Sequence, residues 1–123
     1  MNTIEVVVYG SPSIRTVKRL GYMRENGRSS YVQLWPQVAV WYGQSCVRVK
    51  AEVTQTEPDR TALAQQVQSV VSLGKLTKVS TVKVFINGIL TVKYSTLADF
   101  VHDTGVGQWN TVVKRLKEVS ECV

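Results

Sequence analysis

The stretch TVKVFINGILTVKY, Thr81 to Tyr94, holds an Asn-Gly pair between two apolar runs. Such a pair is the strongest short-range signal for a tight β-hairpin, yet strict alternation also runs straight through it. As a hairpin with Ile86 facing Ile89, one face collects Val82, Val84, Ile86, Ile89, Thr91 and Lys93, while the other mixes Lys83 and Phe85 with Leu90 and Val92. Neither face is clean. As one straight strand, Val82, Val84, Ile86, Leu90, Val92 and Tyr94 share a side interrupted only by Gly88. The opposite side then carries Lys83, Phe85, Asn87, Ile89, Thr91 and Lys93, a mixture suited to a polyanion with stackable bases. A one-residue slip would scramble so regular a pattern, so the straight strand is the expected form and the hairpin its alternative.

The chain around this stretch has 123 residues, 44% of them hydrophobic, enough for one ordinary domain over 1–123 with a limited core that often gains from self-association. Fifteen Lys and Arg against nine Asp and Glu give a net charge of +6, in the sense expected for nucleic-acid or acidic partners. The cations are dispersed, which points to a face assembled by folding rather than a basic tail. No apolar run is long enough to span a bilayer, and MNTIEVVVYG lacks the basic start and small-residue cleavage site of a signal peptide. A soluble, cytosolic protein with no membrane partner is the expectation. Cys46 and Cys122 stand alone without metal spacing and read as ordinary thiols.

Strand signals dominate the first half. TIEVVVY (3–9) is rich in β-branched residues, GSPS (10–13) is turn chemistry, and IRTVKRLGY (14–22) alternates well enough to return as a hairpin partner, giving an amino-terminal hairpin over 3–22. Asn26-Gly27 offers another turn, SSYVQLW (29–35) a strand ended by Pro36, and VAVWY (38–42) a resumed one. In SCVRVKAEVT (45–54), Val47, Val49, Ala51 and Val53 share one face and Cys46, Arg48, Lys50 and Glu52 the other. A sheet over 29–95 follows.

The segment TEPDRTALAQQVQSVVSLGK (56–75) is ambiguous. Thr56 with Asp59 and Pro58 reads as a helix start, and Leu63, Val67, Val70 and Val71 repeat at helical spacing. EPD is equally a type I turn, after which Leu63, Val67 and Val71 could line one side of a strand. Local propensity favours helix. The region 96–121 reads as two helices broken at Gly105 and Gly107. Thr96 caps the first, with Leu97, Phe100 and Val101 as its stripe, and Trp109, Val112, Val113, Leu116 and Val119 recur in the second.

Catalytic chemistry is sparse. His102, the single histidine, sits beside Asp103 with no serine, cysteine or metal-ligand arrangement around it, and reads as a solvated or capping residue. No phosphate-binding glycine loop, paired-acid motif or CxxC occurs. The expectation is a protein that is not an enzyme and takes no cofactor or metal. Of the tryptophans, Trp109 belongs to the apolar stripe, whereas the Pro36 break leaves the facing of Trp35 and Trp41 open.

The order of elements, together with TIEVVVYG at the start, VRVKAEVTQTEPDR (47–60) and ILTVKYSTLADF (89–100), resembles the coat proteins of single-stranded RNA bacteriophages, the leviviruses. That resemblance implies an α+β fold: an antiparallel sheet with an amino-terminal hairpin and two carboxy-terminal helices, interlocked as a dimer. It requires a strand at 60–72 and a short loop at 73–80. It implies dimers assembled into an icosahedral shell, a virion protein put together in the host cytoplasm. Its partners would be itself and a single-stranded RNA hairpin acting as translational operator and packaging signal. The RNA would lie on the helix-free face, on Arg48, Lys50, Lys83, Phe85, Asn87, Thr91 and Lys93. Lysines and Arg48 would meet phosphates, Asn87 and Thr91 bases or sugar, and Phe85 an unpaired base. Leu97, Phe100, Val101, Trp109, Val112, Val113 and Leu116 would form the dimer interface and helix core.

Two other functions stay open. Four strands followed by a helix, repeated incompletely, is the plan of Whirly-like single-strand-binding proteins, which calls for helix at 57–72. A structural or adaptor protein with merely solvated basic faces is the other.

Overall fold

The structure, a computed structural model, describes residues 1–54, 58–103 and 107–121. Its α+β fold is one six-stranded antiparallel sheet in the order β2-β3-β4-β1-β5-β6, with helices on one face. Strand β1 (Asn2–Tyr9) lies inside the sheet, antiparallel to β4 (Cys46–Val53) on one side and β5 (Val82–Ile86) on the other. Its Val6, Val7 and Val8 are all fully buried, an unbroken apolar run suited to a strand hydrogen-bonded along both edges.

The amino-terminal hairpin expected over 3–22 does not form. Both edges of β1 are already hydrogen-bonded, so 14–22 has no ladder to join. Ser13 instead caps a short helix, α1 (Ile14–Arg19), its Oγ accepting from Thr16 N at 3.3 Å. Val17, Tyr22 and Met23 pass into the core, and the Asn26-Gly27 turn closes with Arg24 N donating to Arg28 O at 2.8 Å.

Strands β2 (Val32–Trp35) and β3 (Val38–Tyr42) are joined by a two-residue turn, Pro36-Gln37, and β4 follows antiparallel to β3. The next element is α2 (Arg60–Leu73), as local propensity favoured; the strand at 60–72 that the coat-protein plan requires, and with it an uninterrupted sheet over 29–95, is absent. Asp59 is the cap, accepting from Ala62 N at 3.0 Å, while Thr56 lies outside the described residues. Leu63, Ala64, Val67 and Val70 face the sheet. Gly74 ends the helix where a Cβ would stand 2.3 Å from the Tyr42 ring, and the Tyr42 hydroxyl donates to Val70 O, so this aromatic locks the helix to β3.

The Thr81–Tyr94 stretch turns. Asn87 (φ 49°) and Gly88 (φ 82°) form a tight turn with both residues at positive φ between β5 and β6 (Ile89–Tyr94), and the straight strand is corrected to a hairpin. The unclean faces of the simple hairpin are resolved by a β-bulge. Ile86 pairs with Ile89 and Phe85 with Leu90, but Val84 pairs with Val92, so Thr91 is one extra residue on β6. The slip returns Val92 and Tyr94 to the core face with Val82, Val84 and Ile86, and turns Lys93 outward opposite Lys83.

Helix α3 (Leu97–His102) is capped by Thr96, and α4 (Trp109–Glu121) lies over β6, β5 and β1. Asp103 joins them: one carboxylate oxygen accepts from the Tyr94 hydroxyl at 2.7 Å and Trp109 N at 2.9 Å, the other from Gly107 N at 3.3 Å. Arg60 on α2 donates to Phe100 O and, at 2.8 Å, to Val101 O, with its guanidinium 6.0 Å from the rings of Phe100 and Trp109. Phe100, Trp109, Val112 and Leu116 are buried, and Leu97, Val101 and Val113 pack against them. Four of the seven residues assigned to a dimer interface and helix core are thus buried within their own chain, and Leu97, Val101 and Val113 lie half-buried beside them.

Trp109, 3% exposed, tests this packing. Trp109→Ala should cost about 3–5 kcal/mol, the range for large aromatic truncations in cores, and a circular-dichroism melt of the variant would reveal it; an unchanged melting temperature would mean that α4 does not pack this way.

Burial raises the pKa of Tyr22, Tyr31, Tyr42 and Tyr94, and hydrogen bonds to Glu5 and Asp103 raise Tyr31 and Tyr94 further. An acid held more tightly protonated in the folded state stabilises the fold fully below its unfolded pKa, about 10 for tyrosine, and loses that contribution as pH climbs toward the folded value. Ultraviolet titration should therefore show most tyrosinate appearing together with alkaline unfolding.

Candidate nucleic-acid interface

Alternation along each strand assigns every second side chain to the face without helices. Register then sets those side chains in rows across the sheet. One row runs Trp41, Arg48, Val7, Lys83, Lys93 from β3 to β6, and the next runs Ala39, Lys50, Glu5, Phe85, Leu90. Neighbouring strands are about 4.8 Å apart, so the first row places Arg48 and Lys83 roughly 10 Å apart at the backbone and Lys83 directly beside Lys93.

Aromatic rings lie among these cations. The Arg48 guanidinium is 5.6 Å from the Trp41 ring, Lys50 Nζ is 5.3 Å from Tyr31, and Lys83 Nζ is 5.2 Å from Tyr9. Val7 is fully buried although it points away from the helices, flanked in register by Arg48 and Lys83, whose long stems can shield an apolar floor while their charges stay in water.

Glu5 organises one side of the face. Its carboxylate accepts from Arg48 at 2.9 Å and from the Tyr31 hydroxyl at 2.7 Å. Burial disfavours the Arg48 charge, but the bond and charge of Glu5 outweigh it and the net shift of Arg48 is upward. Arg48 is therefore a tethered cation, and Lys50, Lys83 and Lys93 carry the charge available to an incoming anion. Cys46, on the same face but buried, is held as a thiol because burial raises its pKa.

Five of the seven residues assigned to RNA, Arg48, Lys50, Lys83, Phe85 and Lys93, meet on this face. Asn87 and Thr91 are not in these rows but sit at the turn and the bulge of the β5–β6 hairpin. Asn87 sits in the turn, where its Oδ1 accepts from Thr3 N at 2.9 Å and its Nδ2 donates to Asn2 Oδ1 at 3.1 Å. Thr91 is the bulge residue, its hydroxyl donating to Ile89 O at 3.1 Å. The sequence reading missed Glu5, Tyr9 and Tyr31 and left the facing of Trp41 open. Alternation with Val38, Val40 and Tyr42 could have placed Trp41, but nothing local marks Tyr31, which precedes its strand.

Elsewhere, His102 is exposed at the end of α3, and among the described residues no group of three or more His, Cys, Asp or Glu forms a metal-holding cluster. No helix among them is long and apolar enough to cross a membrane. Comparison with family models, curated proteins and solved structures gives no match.

The role of Asn87 separates fold from interface. Asn87→Ala loses the bond to Thr3 and places an alanine at φ 49°, which should cost about 1–2 kcal/mol. Asn87→Gly, which accepts the backbone angle, should be the milder change, and both should bind RNA as the parent does. Paired thermal melts and filter-binding titrations check this; weakened binding at full stability would return Asn87 to the interface.

Proposed function

We propose that this chain binds single-stranded RNA across the helix-free face of its sheet. One observation supports the reading above the others: Arg48, Lys83 and Lys93 stand in a single cross-strand row on an open face, with Trp41 in the same row and Tyr9 and Phe85 beside it. Lysines neutralise phosphates without regard to sequence. Half-buried rings on that face offer stacking surfaces, worth about 1–3 kcal/mol per base in comparable single-strand binders. An open antiparallel sheet admits a splayed strand whose bases lie flat on it, which a closed groove lined by helices would not.

The setting proposed for this binding is a viral coat. Dimers would form along β6, whose outer edge has no partner strand among the described residues and whose Ile89 and Leu90 are 56% and 49% exposed. Two sheets joined there would make one continuous face, turned inward on the genome in an icosahedral shell and able to hold an RNA hairpin. Helices α1 and α2 stand where the coat-protein plan has strands. That departure favours a second reading, a single-strand-binding module that does not assemble, since α2 is the helix such a module calls for.

Electron microscopy of the purified full-length chain separates the two settings: uniform closed shells holding host RNA support the coat, and dispersed particles with undiminished RNA binding support the module. For the binding itself, Lys83→Ala and Lys93→Ala should each lower affinity for many RNAs and flatten the slope of log affinity against log salt by about 0.7, one single-strand phosphate. Unchanged affinity and slope in both would remove the open face as the binding surface.

A further inference from the structure

Between β2, β3 and β4 the open face is hollowed into a pocket of about 310 Å³, lined by Tyr31, Gln33, Gln37, Ala39, Lys50 and Glu52. That volume is at the lower end of small-ligand sites, roughly 300–1,000 Å³. The hollow exists because Ala39, a small residue, stands in register between Gln33 and Lys50. Tyr31 forms one wall, 43% exposed, its hydroxyl fixed to Glu5 at 2.7 Å and Lys50 Nζ 5.3 Å from its ring. Gln37, which lines the hollow, is held at φ 61°, a left-handed angle more readily taken by glycine or asparagine. Lys50 and Glu52, two apart on β4, point to the same side. Glu52 is exposed, and its carboxylate has no hydrogen bond or ion pair among the described residues.

We propose that this pocket takes one unstacked guanine of the bound RNA, a reading that rests on RNA binding at the open face. A carboxylate only accepts hydrogen bonds, and guanine is the one base whose Watson–Crick edge presents two adjacent donors, N1–H and N2–H. Next to them guanine carries the O6 acceptor, a preferred partner of a lysine ammonium. Glu52 and Lys50 supply that acceptor-beside-donor order on one strand, and Tyr31 supplies the stacking surface that holds a splayed base. Adenine and cytosine each offer a single exocyclic amino donor beside an acceptor nitrogen, which would face the Glu52 carboxylate unfavourably. Uracil offers one donor between two carbonyls. The amides of Gln33 and Gln37, each both donor and acceptor, serve the remaining polar edges. The pocket therefore adds a base-reading position to a face whose other cations contact phosphates without discrimination.

Fluorescence anisotropy with the full chain and uridine oligonucleotides bearing one central guanosine, adenosine, cytidine or inosine tests this. Guanosine should bind about tenfold more tightly than adenosine or cytidine. Inosine, which lacks the N2 amino group, should fall between. Glu52→Gln should erase the guanosine preference, while affinity for all-uridine RNA holds or rises, because the change removes a negative charge from the face and the exposed side chain leaves the fold intact. Equal binding of the four oligonucleotides, or a preference that survives Glu52→Gln, would overturn the guanine pocket alone. Failure of every oligonucleotide to bind would overturn the RNA-binding reading with it.

Discussion

Everything in this fold depends on β1 being hydrogen-bonded along both edges. The sheet consists of a three-stranded meander, β2-β3-β4, and a two-stranded hairpin, β5-β6, separated in sequence by α2. Only the first strand of the chain joins them. It pairs residue for residue with β4 from Asn2↔Val53 to Tyr9↔Cys46, and with β5 from Ile4↔Ile86 to Val8↔Val82. Those long sequence separations make the sheet slow to close, because loop entropy must be lost before the pairing compensates for it. The three consecutive valines, apolar toward both faces, are the sequence's provision for this position. Helices α2 and α4 find their seats only once β1 has brought the two halves into one plane.

Much of this was legible locally. The helix α2 was favoured over a strand by its 3.6-residue period, although its cap is Asp59 where the sequence reading started the helix at Thr56; β4 followed from its alternation, and α4 from the stripe starting at Trp109. What escaped was non-local. Whether residues 14–22 return as a strand depends on which edges of β1 remain free, and both are taken by partners 37 or more residues away from it in sequence. In the Thr81–Tyr94 hairpin the Asn-Gly pair was correct and the alternation misleading, because the bulge at Thr91 shifts the period by one residue and makes a turning chain look like an unbroken strand. Five of the seven residues proposed for RNA share the open face: those on β4 and β5 are placed by plain alternation, and Lys93 is brought outward by the bulge. Asn87 and Thr91 fall to the turn and bulge that the alternation concealed.

The open face is not a uniform positive field. Glu5 takes up Arg48 and fixes the Tyr31 hydroxyl, so one cation and one ring are held in place before any ligand arrives. Preorganisation of this kind lowers the ordering cost of binding, whereas the lysines, on flexible stems, remain adjustable charges. The face thus divides into a fixed part, over β2, β3 and β4, and an adaptable part, over β5 and β6.

Both edge strands carry an extra residue. On β2 it is Leu34, between the pairs Gln33↔Ala39 and Trp35↔Val38; on β6 it is Thr91. An open sheet with two regular edges is a template for unlimited stacking of further copies, the geometry from which fibres grow. A bulge in each edge twists its ladder and leaves only a short regular segment on either side. Strand addition at these edges is consequently limited to short, register-specific pairings, and the two bulges work against running on into amyloid-like filaments.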